Sequence, residues 1–198
     1  MKLIFATNNQ HKIEEIRSML VDTFEIITLA EAGIDIDIPE PYNTLEENAS
    51  EKSGTIFEMT GINCFSEDTG LEADALNGEP GVKSARYAGE DKSFDANIEK
   101  LLIKLSGKSD RSARFRTIIS LVLEGRETLF EGVCEGMITH ERKGTGGFGY
   151  DPVFIPAGSN KTFGEMTMKE KTQYSHRAKA TEKLVIFLRN LATQSMKS

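Results

Sequence analysis

The chain has 198 residues, 38% of them hydrophobic and 28% charged, with a formal net charge of -7. This composition excludes an intrinsically disordered chain, and the length suits one large domain or two lobes sharing a core. An acidic balance with no basic block argues against a sequence-independent grip on nucleic acid, so any phosphate-bearing partner is expected to be a small nucleotide in a local positive pocket.

In chain order, "KLIFAT" (residues 2–7) predicts a short buried strand. Its apolar run is too short for a signal peptide and no stretch could span a bilayer, which points to a cytoplasmic protein without membrane contact. "NNQHKIEEIRSML" (8–20) predicts a helix, because Ile13, Ile16, Met19 and Leu20 recur at helical spacing. "EIITL" (25–29) predicts a second strand, followed by the acidic loop "EAGIDIDIPEPYN" (31–43). Thr44 and Glu47 have the spacing of a capping box, opening a helix that ends near Gly61. "INCFSEDTGLEADAL" (62–76) reads as a strand. "SFDANIEKLLIKL" (93–105) is helical by the spacing of Phe94, Ile98, Leu101, Leu102 and Leu105. Residues 112–138 form two long strands with a tight turn near Gly125. A glycine-rich segment, a short strand and a last helix from about Ser175 to Leu191 follow, with frayed residues beyond. Cys64 and Cys134 fall in apolar runs without a CxxC pair, which predicts two reduced, buried thiols. The three histidines show no zinc-ligand spacing. Early alternation of strands and helices with a late hairpin gives an α/β class with a mixed sheet, in two lobes with a cleft.

Four stretches carry candidate chemistry. "TNNQHK" (Thr7, Asn8, Asn9, Gln10, His11, Lys12) lies at a strand-to-helix junction. Unpaired N–H groups and the positive end of the helix dipole suit phosphate there, and Lys12 adds a cation. The plainer reading is an Asn N-cap before a solvated helix face. The acids Glu40, Glu47, Glu67 and Asp68 are the second. Magnesium takes one or two carboxylates with water and substrate phosphates, and a carboxylate can also take a proton from water. Glu67 and Asp68 are neighbours in a strand and face opposite ways, so they cannot share one task. Asp68 ends an apolar run just before Thr-Gly, where α/β sheets bind ligands.

The third stretch is "GTGGFGYDPVF" (144–154), whose glycines permit close backbone approach around Phe148 and Tyr150. Either ring could stack on a nucleobase, or both could simply join the core. The fourth is "EKTQYSHRAKA" (170–180), with Lys171, His176 and Arg177. Lys171 and Arg177 only donate hydrogen bonds, which would separate a 6-oxo purine from adenine; the alternative is a solvated helix start.

With these stretches in order along nearly the whole chain, together with "IPE", "ENA" and "SARYAGE", the sequence resembles the inosine triphosphate pyrophosphatase family. The resemblance implies an elongated mixed sheet flanked by helices, as a single domain over residues 1–198 with two lobes and a central cleft, and a homodimer. It implies hydrolysis of ITP, dITP or XTP to the monophosphate and pyrophosphate. It implies magnesium, with manganese as the alternative ion, on Glu40 and Asp68, and Asp68 as the proton acceptor. Residues 7–12 would bind the triphosphate with Lys12 near the scissile phosphates, and Thr69, Lys52 and Arg86 would add contacts. Phe148, Gly149, Tyr150 and Asp151 would wall the base, closed by Lys171, His176 and Arg177. Many relatives have Gly at position 8 or Asp at position 67, and neither difference removes an implied metal or base contact. Glu67 is left without a role. Two other readings stand beside this one: a pyrophosphatase for another nucleotide class, and a nucleotide-binding module without turnover. The coincidence of Glu40, Asp68 and Lys12 argues against the module.

Overall fold

The computed structural model describes residues 2–19 and 24–195. Its strands are β1 (Lys2–Phe5), β2 (Glu25–Thr28), β3 (Cys64–Ala73), β4 (Pro80–Gly81), β5 (Ser112–Leu123), β6 (Arg126–Ile138) and β7 (Phe154–Pro156). Its helices are α1 (Gln10–Met19), α2 (Leu45–Thr60), α3 (Phe94–Lys104), α4 (Met168–Thr172) and α5 (His176–Ser195). The strands form one mixed sheet in the order β2-β1-β3-β5-β6-β7, with β4 paired to β3. β1 runs parallel to β2 and β3, while β4 and β7 run antiparallel to β3 and β6. The α/β class with a mixed sheet therefore holds.

Local signals account for most of these elements. Ile13 and Ile16 are buried on α1, as their spacing requires. Thr44 has extended backbone and its hydroxyl oxygen accepts from the Glu47 N–H, so it caps α2. The return half of the expected capping box differs, because the Thr44 hydroxyl donates to the Glu47 carboxylate at 2.7 Å. The turn between β5 and β6 is made by Glu124 and Gly125, both at positive φ, the geometry of a tight two-residue hairpin. Leu20 lies outside the described residues. The last helix continues to Ser195, past the expected end, so fraying does not begin at residue 193; residues 196–198 lie outside the description. Helix α4 was not expected, although Thr167 and Glu170 form a full capping box at its start.

The chain divides into two compact units. The first comprises residues 1–68, 117–132 and 177–198, the second 69–116 and 133–176. The long strands β3, β5 and β6 thus each contribute to both units. The core of the first unit packs Leu3, Phe5, Ile16, Phe65, Leu121 and Leu184, with Phe5 and Phe65 stacked at 4.5 Å. The core of the second gathers Leu71, Leu101, Phe115, Tyr150, Phe154 and Phe163. Both cysteines are free and buried, and burial pushes the Cys64 thiol up to about 12. Among the described residues no helix is long and apolar enough to cross a membrane.

Gly136 on β6 lies opposite Pro156 of β7, and a Cβ there would meet the Ile155 carbonyl oxygen at 2.2 Å. A backbone oxygen cannot give way without moving β7. Gly136→Ala is therefore expected to cost about 1–3 kcal/mol, as overpacking does, seen as a lower urea midpoint with an unchanged m-value.

Candidate active site

Of the residues expected to bind phosphate, 7–12 and Lys52 lie in the first unit, and Thr69 and Arg86 in the second. β1 ends at Phe5, and the chain turns through residues 6–9 into α1. The Thr7 hydroxyl oxygen accepts from the Asn9 N–H, and the Asn9 side-chain oxygen accepts from the Lys12 N–H at 3.3 Å. Asn9 is thus the cap of α1, as its plainer reading requires, and capping leaves the dipole's positive end where it was. Asn8 donates to the Ile36 carbonyl at 2.9 Å, which ties the acidic loop to this turn. Gln10 and His11 are exposed on the first turn of the helix.

The two adjacent acids of β3 have separate partners. Glu67 is 1% exposed and takes a bidentate pair from Arg177, with Nε and Nη2 at 2.7 and 2.8 Å. Lys12 Nζ lies 3.1 Å from the same carboxylate, and Arg177 Nη1 donates to Glu15. Burial works against ionising Glu67, but Arg177 and Lys12 overcome it and hold the group well below the usual carboxylate range. The two carboxylates likewise hold the buried guanidinium above its ordinary value, against the effect of burial. Asp68 instead contacts Lys52 Nζ at 2.8 Å, and the same ammonium lies 2.8 Å from Glu40. Burial, helped by Glu40, pushes Asp68 above the ordinary aspartate value, against the pull of Lys52 and Lys12. Burial lowers Lys52, but Asp68 and Glu40 raise it further. One acid is held as an anion, and the other has its proton affinity raised by burial.

Glu40 and Asp68 converge on a single cation, Lys52 Nζ, and present hard carboxylate oxygens. Among the described residues no group of three or more His, Cys, Asp or Glu side chains could hold a metal by itself. Two carboxylates nevertheless suit magnesium, which completes its shell with water and substrate phosphates. Glu47 falls outside this set, because it is exposed at the start of α2 with Thr44.

The second unit holds the base-binding candidates other than Arg177. Asp151 accepts from Lys171 Nζ at 2.7 Å and from the Phe148 N–H at 2.9 Å. Gly147 is required beside them: its φ is +72° and a Cβ would lie 2.0 Å from the Asp151 carboxylate. Lys171 Nζ sits 5.1 Å from the centre of the half-buried Phe148 ring and 5.5 Å from that of Phe163. Tyr150 is a core residue whose hydroxyl donates to the Ser84 carbonyl, so joining the core describes Tyr150 but not Phe148. Gly149 is half-buried beside it. His176 stacks on Phe115 at 4.6 Å, nearly parallel. Arg86 pairs with Glu90 at 3.1 Å and is partly exposed, and Thr69 is half-buried on β3. Arg177 lies in the first unit, on the carboxylates of Glu67 and Glu15, whereas Lys171 and His176 lie in the second.

Three residues that position the site were missed in the sequence. Glu15 is buried on Arg177, and its spacing from Lys12, Ile16 and Met19 on one helical stripe was a usable signal. Asn48 exchanges two hydrogen bonds with the Tyr42 backbone and so pins the loop carrying Glu40. Asn97 does the same for the segment carrying Arg86, accepting from the Ala88 N–H and donating to Ala85. Asn48 and Asn97 carry no such signal, because their partners are backbone groups of the preceding loops, which side-chain spacing does not identify.

The sequence model of the Ham1 family matches residues 3–187. A dITP/XTP pyrophosphatase of Flavobacterium johnsoniae is 48% identical over 188 residues, covering 95% of this chain and 98% of its own. That of Porphyromonas gingivalis is 51% identical, covering 94% and 97%. The structure of the Staphylococcus aureus Ham1 protein matches with a TM-score of 0.87 at 40% identity, covering 96% of this chain and 99% of its own. A HAM1 protein from Coxiella burnetii matches with a TM-score of 0.88 at 35% identity over the same shares.

Replacing Arg177 by Met removes the guanidinium from between two buried carboxylates, at an expected cost of about 3–5 kcal/mol at pH 7. In the parent protein Glu67 is depressed, so its stabilisation is present above the ordinary glutamate value and is lost as pH falls through its folded value. In the variant the carboxylates lose that cation and their folded values rise, so acidification relieves part of the penalty. The stability gap between parent and variant should therefore narrow from pH 7 towards pH 4 in denaturant titrations. A gap that stays constant or widens would contradict the assigned charge states.

Proposed function

The chain belongs to the Ham1 family, and on that premise we propose that it hydrolyses the non-standard purine triphosphates ITP, dITP and XTP to monophosphate and pyrophosphate, clearing deaminated purines from the nucleotide pool. The observation that carries the assignment of roles is the division between the two β3 acids. Glu67 is saturated by the Arg177 fork and Lys12, whereas Asp68 shares one ammonium, Lys52, with Glu40, and burial raises it above the ordinary aspartate value against the pull of Lys52. A proton acceptor needs the second environment, not the first.

In this reading Asp68 orients water and takes its proton as the bond between the α- and β-phosphates breaks. Lys12 and the first turn of α1 stabilise the charge that develops on the phosphate oxygens. Residues 7–12 bind the triphosphate, with Lys52, Thr69 and Arg86 as further contacts. Glu40 and Asp68 would hold magnesium, or manganese, which supplies charge neutralisation on the phosphates when bound.

Phe148 offers its ring to the purine, with Gly149, Tyr150 and Asp151 forming the wall behind it. Lys171 and Arg177 are the donors proposed for the purine O6, with His176 beside them in sequence. Lys171 is held by Asp151, whereas Arg177 is buried on Glu67 and Glu15 and would have to be uncovered to donate to a base. Adenine presents an amino group at that position, which would leave such donors unmatched. We read residues 1–198 as one domain of two lobes, working as a cytoplasmic homodimer on a small nucleotide, with no nucleic-acid or membrane partner.

Asp68→Asn should keep the parent's thermal midpoint within a few degrees yet lose about 100-fold or more in kcat with magnesium present, measured as pyrophosphate released. Near-normal turnover would remove Asp68 from the mechanism. In a panel of triphosphates, kcat/KM for ITP, dITP and XTP should exceed that for ATP by about 100-fold or more. Equal values for ITP and ATP would refute the O6 reading, and a preference for a pyrimidine triphosphate would move the activity to another substrate class.

A further inference from the structure

The ammonium of Lys52 occupies the point at which the two carboxylates proposed for the metal converge. It lies 2.8 Å from Glu40 and 2.8 Å from Asp68, and the lysine side chain is 9% exposed. One oxygen of each acid is therefore within twice that distance of the other, a spacing at which a cation between two anions offsets their repulsion. The lysine also comes from an element other than those of its partners: it stands on α2, Glu40 on the preceding loop and Asp68 on β3. It thus fastens the loop to the strand as well as balancing charge. Asn48, one turn earlier on α2, pins the same loop through Tyr42, so the loop has a second anchor that does not involve the ammonium.

We propose that Lys52 is an internal stand-in for the divalent cation: it keeps the Glu40 and Asp68 carboxylates together in the metal-free protein and gives them up when the cation binds. This rests on the reading of Glu40 and Asp68 as metal carboxylates. Lys52 then has two effects of opposite sign. It stabilises the metal-free fold, since removing it leaves the buried Asp68 carboxylate beside the part-exposed Glu40 carboxylate without their shared cation. It also weakens metal binding, since the cation must compete for oxygens that already hold an ammonium. A residue with a purely structural role would show the first effect alone. A released Lys52 carries its charge to any phosphate bound beside the acids, which agrees with the phosphate contact that the family resemblance implies for it.

The test uses substrate-free protein and manganese alone, with free Mn2+ followed by its EPR signal and stability by thermal denaturation. Lys52→Met should melt below the parent without metal and bind Mn2+ about tenfold or more tightly. Its melting temperature should also rise further than the parent's on adding the ion. Lys52→Arg, which keeps the cation, should bind Mn2+ like the parent. If Lys52→Met is unfolded without metal, Lys52→Gln is read in its place on the same criteria. Equal or weaker Mn2+ binding in the Met or Gln variant would overturn the proposal. The parent's metal response, judged against Asp68→Asn, separates the two ways of failing. A parent response that Asp68→Asn abolishes, with no gain in the Lys52 variant, overturns the stand-in role alone. A response that Asp68→Asn leaves intact, or no response in any protein, overturns the metal assignment and the stand-in role together.

Discussion

Two carboxylates buried next to each other on one strand stay ionised only where positive charge meets each of them. Successive side chains of a strand point to opposite faces, so Glu67 and Asp68 cannot share a counter-ion symmetrically, and the fold supplies two sets. Arg177 and Lys12 go to Glu67, and Lys52 goes to Asp68. The start of α1, the middle of α2 and the start of α5 are all held to β3 by these pairs. Stability in the first unit and the chemistry of the site therefore draw on the same contacts. The Arg177 fork is the firmer anchor, because both of its nitrogens on Glu67 are matched to both oxygens in a dry environment.

The second unit repeats the principle on a smaller scale. Lys171 is 4% exposed, and its charge is met by Asp151 and by the faces of Phe148 and Phe163. A glycine at position 147 is what lets the Asp151 carboxylate reach back to the Phe148 N–H. The glycine-rich segment is thus less a flexible loop than a tightly packed one, in which missing side chains make room for a charged group. The three aromatic side chains of the segment, Phe148, Tyr150 and Phe154, divide accordingly, since Tyr150 and Phe154 are core and only Phe148 keeps partial exposure.

Much of the fold was legible because it rests on short-range rules. Apolar spacing placed α1 and α3, the Thr44 cap placed the start of α2, and the Gly125 turn placed the hairpin. Helix α4 was missed although its capping box was present, since five residues carry too little periodicity to stand out. For the site, strand alternation alone established that only one of the two β3 acids could serve a given task. Its place before Thr-Gly singled out Asp68, but the partners of either acid were not legible: Arg177 is 110 residues from Glu67 and 162 from Glu15 in the chain.

The sequence by itself determined the α/β class, the order and ends of most elements, the phosphate-friendly helix start and the two opposed acids, because propensity, capping and alternation act over a few neighbouring residues. Only the tertiary structure decided that Arg177 and Lys12 hold Glu67 as an anion while burial raises Asp68, that Glu15 pairs with Arg177 and Asn48 pins the Glu40 loop, and that Lys52 stands where the Glu40 and Asp68 carboxylates meet. Those outcomes depend on burial and on charge pairs closed between distant segments, and a carboxylate's proton affinity is set by what surrounds it, not by its neighbours in the chain.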